Sequence, residues 1–188
     1  VASSIRSLYI ESSYATSDTY WGMMSQTYVS NVTAGQTIEV DWKTTAGTAT
    51  ALQRTLVVQR VSSTDVNQAT ATSTTTTTSS TDSQINSLTL TPGSGDYLVF
   101  AGTSYSNTVG DPSGGSSQYL SLYVASSQVA ASQRKVYTEE SLNDGSSFPV
   151  SSLAYTTGVG GADSVTAQWR TTYGTLSGYQ RNLITYKI

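Results

Sequence analysis

The chain has 188 residues, a net charge of -3 and a sequence pI of about 4.7, and only 11% of its residues are charged. Nucleic-acid phosphates are neutralised by clustered Lys and Arg, so this charge balance excludes nucleic acid as the main partner. The chain contains no Cys and no His, which excludes disulfides and Cys-ligated zinc and removes the commonest general base.

The remaining composition points to a strand-rich protein. Ser and Thr number 32 and 31, and uncharged hydroxyl-rich surfaces of this kind are typical of proteins outside the cytoplasm or in virions. No apolar run approaches the roughly 18 residues that span a bilayer. We therefore expect no membrane insertion and a location in a virion or at an extracellular surface.

Two long stretches of the chain repeat one another. "WKTTAGTATALQRTLVVQRV" begins at Trp42 and "WRTTYGTLSGYQRNLITYKI" at Trp169, an offset of 127, while "VASSIRSLYIESS" from Val1 matches "VAASQRKVYTEES" from Val129 at an offset of 128. A period of this length is too long for a solenoid and fits a tandem domain. The sequence predicts that 1–61 is the back half of one repeat, whose front half would precede it, and that 62–188 is a complete domain.

The repeated stretch predicts a closing β-hairpin. Ile38, Val40 and Trp42 alternate with polar residues, and the second copy repeats the alternation up to Trp169. A period of two indicates a half-buried strand. A glycine follows each first strand at a turn, and "QRTLVVQRV" and "QRNLITYKI" return as second strands. The predicted core residues are Trp42, Trp169, Ile38, Val40 and Val165.

Further strands are predicted at 87–92, 96–105, 118–131 and 134–141, with Gly, Asp and Pro turns between them. The Thr/Ser-rich stretch at 69–84 is either a flexible linker or the first strand of the complete domain. Because Thr is β-branched and the stretch holds no Gly or Pro, strand is favoured. Short strands separated by turns predict an all-β fold, an antiparallel β-sandwich or jelly roll with one complete domain and a repeated half domain.

The two closing hairpins resemble those of a known family, the β-jelly-roll modules of phage tail-fibre, head-fibre and other virion proteins. "TLTPGSGDYLVFAGTSYS" is similar to the early strands of that module and "VYTEESLNDGSSFPVSSLAYTTGV" to its middle. The resemblance covers 1–61 and 69–188. It implies a structural role in a virion or at a surface, often as a trimer, with no catalysis and no cofactor.

Acidic residues offer two weaker alternatives. Glu139 and Glu140 are adjacent and would point to opposite faces of a strand, so they cannot flank one bond. Asp111 and Asp144 lie in loops that each offer one carboxylate, whereas calcium requires six to eight oxygen ligands. Turn formation explains both aspartates better, and the sequence predicts neither an active site nor a metal site.

Aromatic residues raise the question of sugar recognition, because aromatic faces stack on sugar rings. The opposing interpretation is sheet packing, which favours Tyr at half-buried positions. The candidates for a glycan platform are Tyr20, Trp21, Tyr105, Tyr119 and Tyr123.

The sequence thus predicts a non-enzymatic structural component of a phage virion, a fibre, decoration or tail protein that assembles through β-sheet contacts. Its expected partners are further copies of itself, as a trimer or fibre, and other virion proteins. The alternative is an extracellular adhesin that binds surface glycans. One front half and two back halves leave Ile38, Val40 and Trp42 uncovered, and either a segment upstream of Val1 or a neighbouring subunit would cover them. We expect the second, with 1–61 in an intermolecular β-sheet contact. Since the two copies are alike, either back half is expected to close the front half.

Overall fold

A computed structural model describes residues 4–8, 22–45, 47–107, 115–138 and 147–188. The regular elements among the described residues are β-strands and a short 3-10 turn at Ser63–Asp65, which precedes the first strand. The strands are β1 (Val66–Ala71), β2 (Thr75–Thr77), β3 (Ser83–Leu90), β4 (Gly95–Asn107), β5 (Ser116–Val124), β6 (Ser127–Gln128), β7 (Arg134–Thr138), β8 (Ser147–Val159), β9 (Val165–Thr171), β10 (Leu176–Gly178) and β11 (Arg181–Lys187).

The strands make two antiparallel sheets. In the first sheet the strand order is β1, β11, β4 and β8. At the C-terminal end of β4, β10 replaces β11 as the neighbour of β4, and β2 replaces β1 as the outer strand. In the second sheet the order is β3, β9, β5 and β7, with the short β6 beside the end of β5.

The pairing is nested along the chain. The outermost strands β1 and β11 pair, and inside them β3 pairs with β9, β4 with β8, and β5 with β7. A long hairpin rolled in this way into two facing sheets is a jelly roll. The predicted all-β sandwich or jelly-roll fold is confirmed.

The core lies between the two sheets and follows the alternation of the strands. Along β4, Val99, Ala101 and Tyr105 point inward, while Leu183 does so from β11 and Trp169 from β9. The ring of Trp169 packs against Tyr105 with a centroid distance of 5.8 Å. Of the predicted core residues in the second copy, Val165 is 0% exposed and Trp169 is 2% exposed.

The prediction of core residues in the first copy is wrong for this chain. Ile38, Val40 and Trp42 are 39%, 69% and 61% exposed, and the described residues between 22 and 61 contain no strand, so the first hairpin is not formed either. The physical reason is that the two copies of the repeat compete for the same partner strands. The strands β1, β3, β4 and β5 already pair with the second copy, and a hairpin with no sheet to join does not bury its apolar face.

The Thr-rich stretch contains strands, not a linker, because β1 and β2 occupy 66–71 and 75–77 on either side of a short break. The sequence missed β8 as a strand. β8 carries Pro149 and several serines, which weaken the strand pattern, and among the described strands its one partner is β4. An edge strand tolerates a proline because one side of its backbone needs no partner.

Candidate functional site

The first-copy residues 22–61, all described except residue 46, are here called the leading segment. One turn in it has the same hydrogen bonds as its counterpart in the complete domain. The Thr33 amide donates to Gln36 Oε1 at 2.8 Å and the Gln36 amide to the Thr33 carbonyl at 3.2 Å. At the offset of 127, the Gly160 amide donates to Asp163 Oδ2 at 2.8 Å and the Asp163 amide to the Gly160 carbonyl at 3.1 Å.

Two left-handed backbone positions are also shared. Asn31 has a φ of 60° and its counterpart Gly158 a φ of 66°, while Gly47 has 68° and Gly174 has 75°. Asn and Gly are the residues that adopt this conformation at least cost. The leading segment therefore bends where the back half of the complete domain bends, although it has no paired strands.

The leading segment also exposes the side chains whose counterparts form the core or cover a sheet. Leu56 and Val57 are exposed, whereas Leu183 and Ile184 at the same repeat positions are buried. The exposed large apolar residues between 38 and 61 are Ile38, Val40, Trp42, Leu52, Leu56, Val57 and Val58. Large apolar side chains exposed in this number within one segment favour a site of association.

The N-terminal residues 4–8 anchor the chain to the outer face of the first sheet. Arg6 Nη2 donates to Asn182 Oδ1 at 2.6 Å, and the Ser7 amide donates to Ser104 Oγ at 2.9 Å. Gly102 makes room for the guanidinium, since a Cβ there would lie 2.6 Å from Arg6 Nη2. Burial lowers the pKa of Arg6 to about 10, which leaves the side chain charged at neutral pH.

A second contact fixes the start of the leading segment at the same place. Asn182 Nδ2 donates to the Gln26 carbonyl, and Gln68 Nε2 on β1 donates to Thr27 Oγ1 at 3.5 Å. The chain then returns to the domain at the 3-10 turn before β1, where Ser62 accepts a hydrogen bond from the Thr64 amide. Residues 28–61 thus form an arm that is held at both ends and is largely exposed between them.

The proposed glycan platform does not form from the described tyrosines. Tyr105 is 1% exposed and belongs to the core, because its position on β4 has the inward parity of Val99 and Ala101. A buried ring cannot stack on a sugar, so its assignment to the platform is wrong. Tyr20 and Trp21 lie outside the described residues.

Tyr119 lies on the outer face of the second sheet between two cations. It pairs with Arg170 on β9 and Lys135 on β7, and its ring centroid is 3.9 Å from Arg170 Cζ and 5.9 Å from Lys135 Nζ. Arg170 Nε is 3.1 Å from Asp82 Oδ1. Cation–π contacts across neighbouring strands stabilise a sheet, and here the Arg170 guanidinium lies over the Tyr119 ring, where a sugar would have to stack.

Tyr123 also contacts Asp82, the partner of Arg170, on this face of the second sheet. Its hydroxyl donates to Asp82 Oδ2 at 2.6 Å. Burial, the hydrogen bond to the Asp82 carboxylate and the negative charge of that carboxylate raise the pKa of Tyr123 to about 12, against an opposing effect of Arg170. Burial, and then the charge of Asp82, also raise the pKa of Tyr105 well above its ordinary value.

Alkaline titration is expected to show these two tyrosines. Because the folded state raises the pKa of Tyr123 from 10.0 to about 12, the stability that it contributes is complete below pH 10 and is lost as the pH rises towards 12. Phenolate absorbance followed with pH should show two tyrosines that ionise late, and Tyr123→Phe should remove one of them. If Tyr123→Phe leaves the late fraction unchanged, the Tyr123–Asp82 hydrogen bond is not present in solution.

Asp111, Asp144, Glu139 and Glu140 lie outside the described residues. Within the described ranges, no three Asp, Glu, His or Cys residues come together as a metal-binding group. No helix among those residues has the length and apolar character needed to cross a membrane.

Chelation is expected to change the melting temperature by no more than about two degrees, because tight calcium binding requires six to eight oxygen ligands and the sequence around Asp111 and around Asp144 offers one carboxylate each. Thermal unfolding with and without EDTA measures this directly. A large drop with EDTA would contradict it, and Asp111→Asn and Asp144→Asn would then show which loop holds the ion.

Neither the Arg6 anchor nor the contacts among Asp82, Arg170 and Tyr119 were predicted from the sequence. Arg6 and Asn182 are separated by 176 residues, and Tyr119 meets Arg170 only because β5 and β9 pair in one particular register. Outward parity along β5 and β9 could have suggested exposed rings and charges, but register across distant strands is not encoded in a local pattern.

No protein-family model and no curated protein matches the chain. Among solved structures, the chain is similar to Eiger TNF from S. frugiperda, with 13% identity and a TM-score of 0.43 over 66% of this chain and 93% of that one. It is also similar to a chain of the T13 IBDV viral particle, with 14% identity and a TM-score of 0.40 over 65% of this chain and 31% of that one.

Proposed function

We propose that the protein is a non-enzymatic structural component of a phage virion that assembles through β-sheet contacts made by the leading segment. The observation that carries the proposal is that this segment has the turns of a jelly-roll back half, while its described residues form no strand and its large apolar side chains are exposed. A segment shaped as half of a domain requires the other half.

Physical chemistry favours strand addition as the mode of contact. An extended segment that joins a sheet edge gains backbone hydrogen bonds along its length, and alternate side chains fill the core of the acceptor. The exposed apolar side chains of the leading segment would promote uncontrolled aggregation if they stayed uncovered. Assembly into a particle would both provide a sheet edge for the segment to join and protect its apolar side chains from aggregation.

The virion setting is supported by the sequence. The closing hairpins at 38–61 and 165–188 resemble those of phage virion modules, and Ser and Thr make up a third of the chain. The glycan-binding alternative receives no support from the described tyrosines, since Tyr105 is buried and Tyr119 is flanked by Arg170 and Lys135.

Immunogold electron microscopy tests the location. Antibodies raised against the purified chain should label particles from the source culture in regular positions. Particles that bind no antibody, even after mild disruption that exposes internal proteins, would overturn the virion role.

Substitutions in the leading segment test the contact itself. Leu56→Asp places a charge at the position of buried Leu183 and should abolish incorporation into particles, as should deletion of 1–61. Gln59→Asp is the matched control, because its counterpart Tyr186 lies one place from inward-facing Thr185 and points out of the sandwich. Normal incorporation of the Leu56→Asp protein would contradict the proposed contact.

A further inference from the structure

We infer that the leading segment is fitted to a jelly-roll front half that differs from residues 62–124 of this chain. This inference rests on the proposed function and names its partner. The partner is a half domain with the arrangement of β1 to β5, smaller side chains opposite Ile38 and Val40, and a larger one opposite Ala49. It departs from the expectation that either back half can close the front half of this chain.

The first reason is the contact between Trp169 and Gly178. A Cβ at Gly178 would lie 2.8 Å from Cζ3 of Trp169, closer than carbon atoms approach without displacement. Trp169 is buried and packs against Tyr105, so its ring has little freedom to move. The leading segment retains the tryptophan as Trp42 but has Ala51 where the complete domain has Gly178.

Three further inward positions differ in size. Val165, Ala167 and Leu176 are each 0% exposed in the complete domain, and their counterparts are Ile38, Val40 and Ala49. Ala167 pairs with Leu122 on β5, so a valine there would crowd that leucine. An alanine in place of Leu176 would leave a cavity, and both kinds of change destabilise a close-packed core.

The four differences in side-chain size nearly cancel in total volume, but the larger and smaller side chains lie at different positions. The leading segment is larger at three positions and smaller at the fourth, so it carries nearly the same side-chain volume distributed differently. This pattern is expected for a back half that packs against another front half, because cores tolerate redistribution when the facing residues change with it.

Other features of the leading segment indicate that the partner half domain, the acceptor of this segment, has the same strand arrangement as residues 62–124. The leading segment keeps Arg54 at the position of Arg181, whose Nε donates to the Asn86 carbonyl at 2.9 Å. It also keeps Leu56 at the position of Leu183 and the two left-handed turns. The acceptor therefore offers a carbonyl where β3 offers that of Asn86.

Point variants of the full chain test the fit, because each brings one residue of the leading segment into the complete domain. Gly178→Ala, Leu176→Ala and Ala167→Val are each expected to lower the melting temperature by at least about 5 °C. Thr185→Val is the matched control, since Val58 is its counterpart and Thr185 Oγ1 is buried with no hydrogen-bond partner among the described residues. It should leave the melting temperature unchanged or raise it.

A variant that combines Val165→Ile, Ala167→Val, Leu176→Ala and Gly178→Ala reads out the whole set. Melting within about two degrees of the wild type would show that the leading segment fits 62–124 and would overturn the inference. A loss of about 10 °C or more, with Thr185→Val still neutral, supports it.

Hydrogen exchange on the purified chain tests the competing occupant, a second copy. Amides of 38–61 should exchange rapidly at all protein concentrations, because the front half 62–124 does not fit this segment. Protection that grows with concentration would identify a second copy as the acceptor and overturn the inference. Neither measurement depends on particles, so a failure of particle labelling would remove the virion role without affecting either result.

Discussion

Replacing Trp169 by alanine is expected to lower the free energy of unfolding by about 3–5 kcal/mol, the usual loss when a large aromatic residue is removed from a core. The same replacement of Trp42 in the purified chain is expected to change it by less than about 0.5 kcal/mol, as for most surface substitutions. The two residues occupy one repeat position, yet Trp169 is 2% exposed and Trp42 is 61% exposed. The difference between the two losses of unfolding free energy measures how much packing between the sheets contributes at this repeat position.

Urea unfolding followed by circular dichroism gives both values, since that signal does not depend on the tryptophan that is removed. The slope against urea should be the same for all three proteins if the variants change stability alone. Similar losses for Trp42→Ala and Trp169→Ala would show that the leading segment is packed in the isolated chain. That result would contradict the description of residues 28–61 as a largely exposed arm.

Alternation along the strands predicted much of the complete domain. β4, β5, β7, β9 and β11 overlap strands expected from the sequence, because inward and outward residues alternate clearly along them. β8 was missed since Pro149 and its serines break the pattern, and the local pattern could not show that an edge strand tolerates them. β6 was merged with β5, since the Ala125–Ser126 turn between them carries no glycine.

The first copy shows the limit of local pattern. The stretch at 38–61 has the alternation of a hairpin, and the structure describes exposed residues without strands there. Alternation reports that a segment can join a sheet, not that a sheet is available. Counting front and back halves predicted the exposure of Ile38, Val40 and Trp42, and this count proved a better guide than the pattern of any one strand.

The candidate site was less accessible to sequence analysis. Tyr105 looked like a surface aromatic because its stretch of β4 is rich in Ser and Thr, but strand parity turns it into the core. Arg6 gave no signal, since its acceptor Asn182 and the room over Gly102 come from distant strands. What the repeat did provide was a counterpart for each residue of the leading segment, which makes matched variants available.

Arg181→Ala is expected to lower the free energy of unfolding by about 2–4 kcal/mol, because hydrogen bonds from a charged donor contribute about 1.5–3 kcal/mol each and are not additive. The guanidinium is fully buried. It donates to the Ser73 carbonyl between β1 and β2, to the Asn86 carbonyl at 2.9 Å and to the Tyr179 carbonyl at 3.2 Å. β3 shifts register between Gln84 and Thr89, and Arg181 satisfies a carbonyl in that irregular stretch.

Arg54→Ala is the matched control, because Arg54 is exposed in the isolated chain and donates to the nearby Ala51 carbonyl at 3.0 Å. It should leave the stability of the purified chain within about 0.5 kcal/mol. Arg181→Lys separates the hydrogen bonds from the charge, since lysine keeps the charge but lacks the planar fork that reaches several carbonyls at once. We expect Arg181→Lys to lose most of what Arg181→Ala loses. If lysine restores wild-type stability, the charge alone matters there, and Arg54 would then need an acceptor with nearby negative charge, not a matching carbonyl.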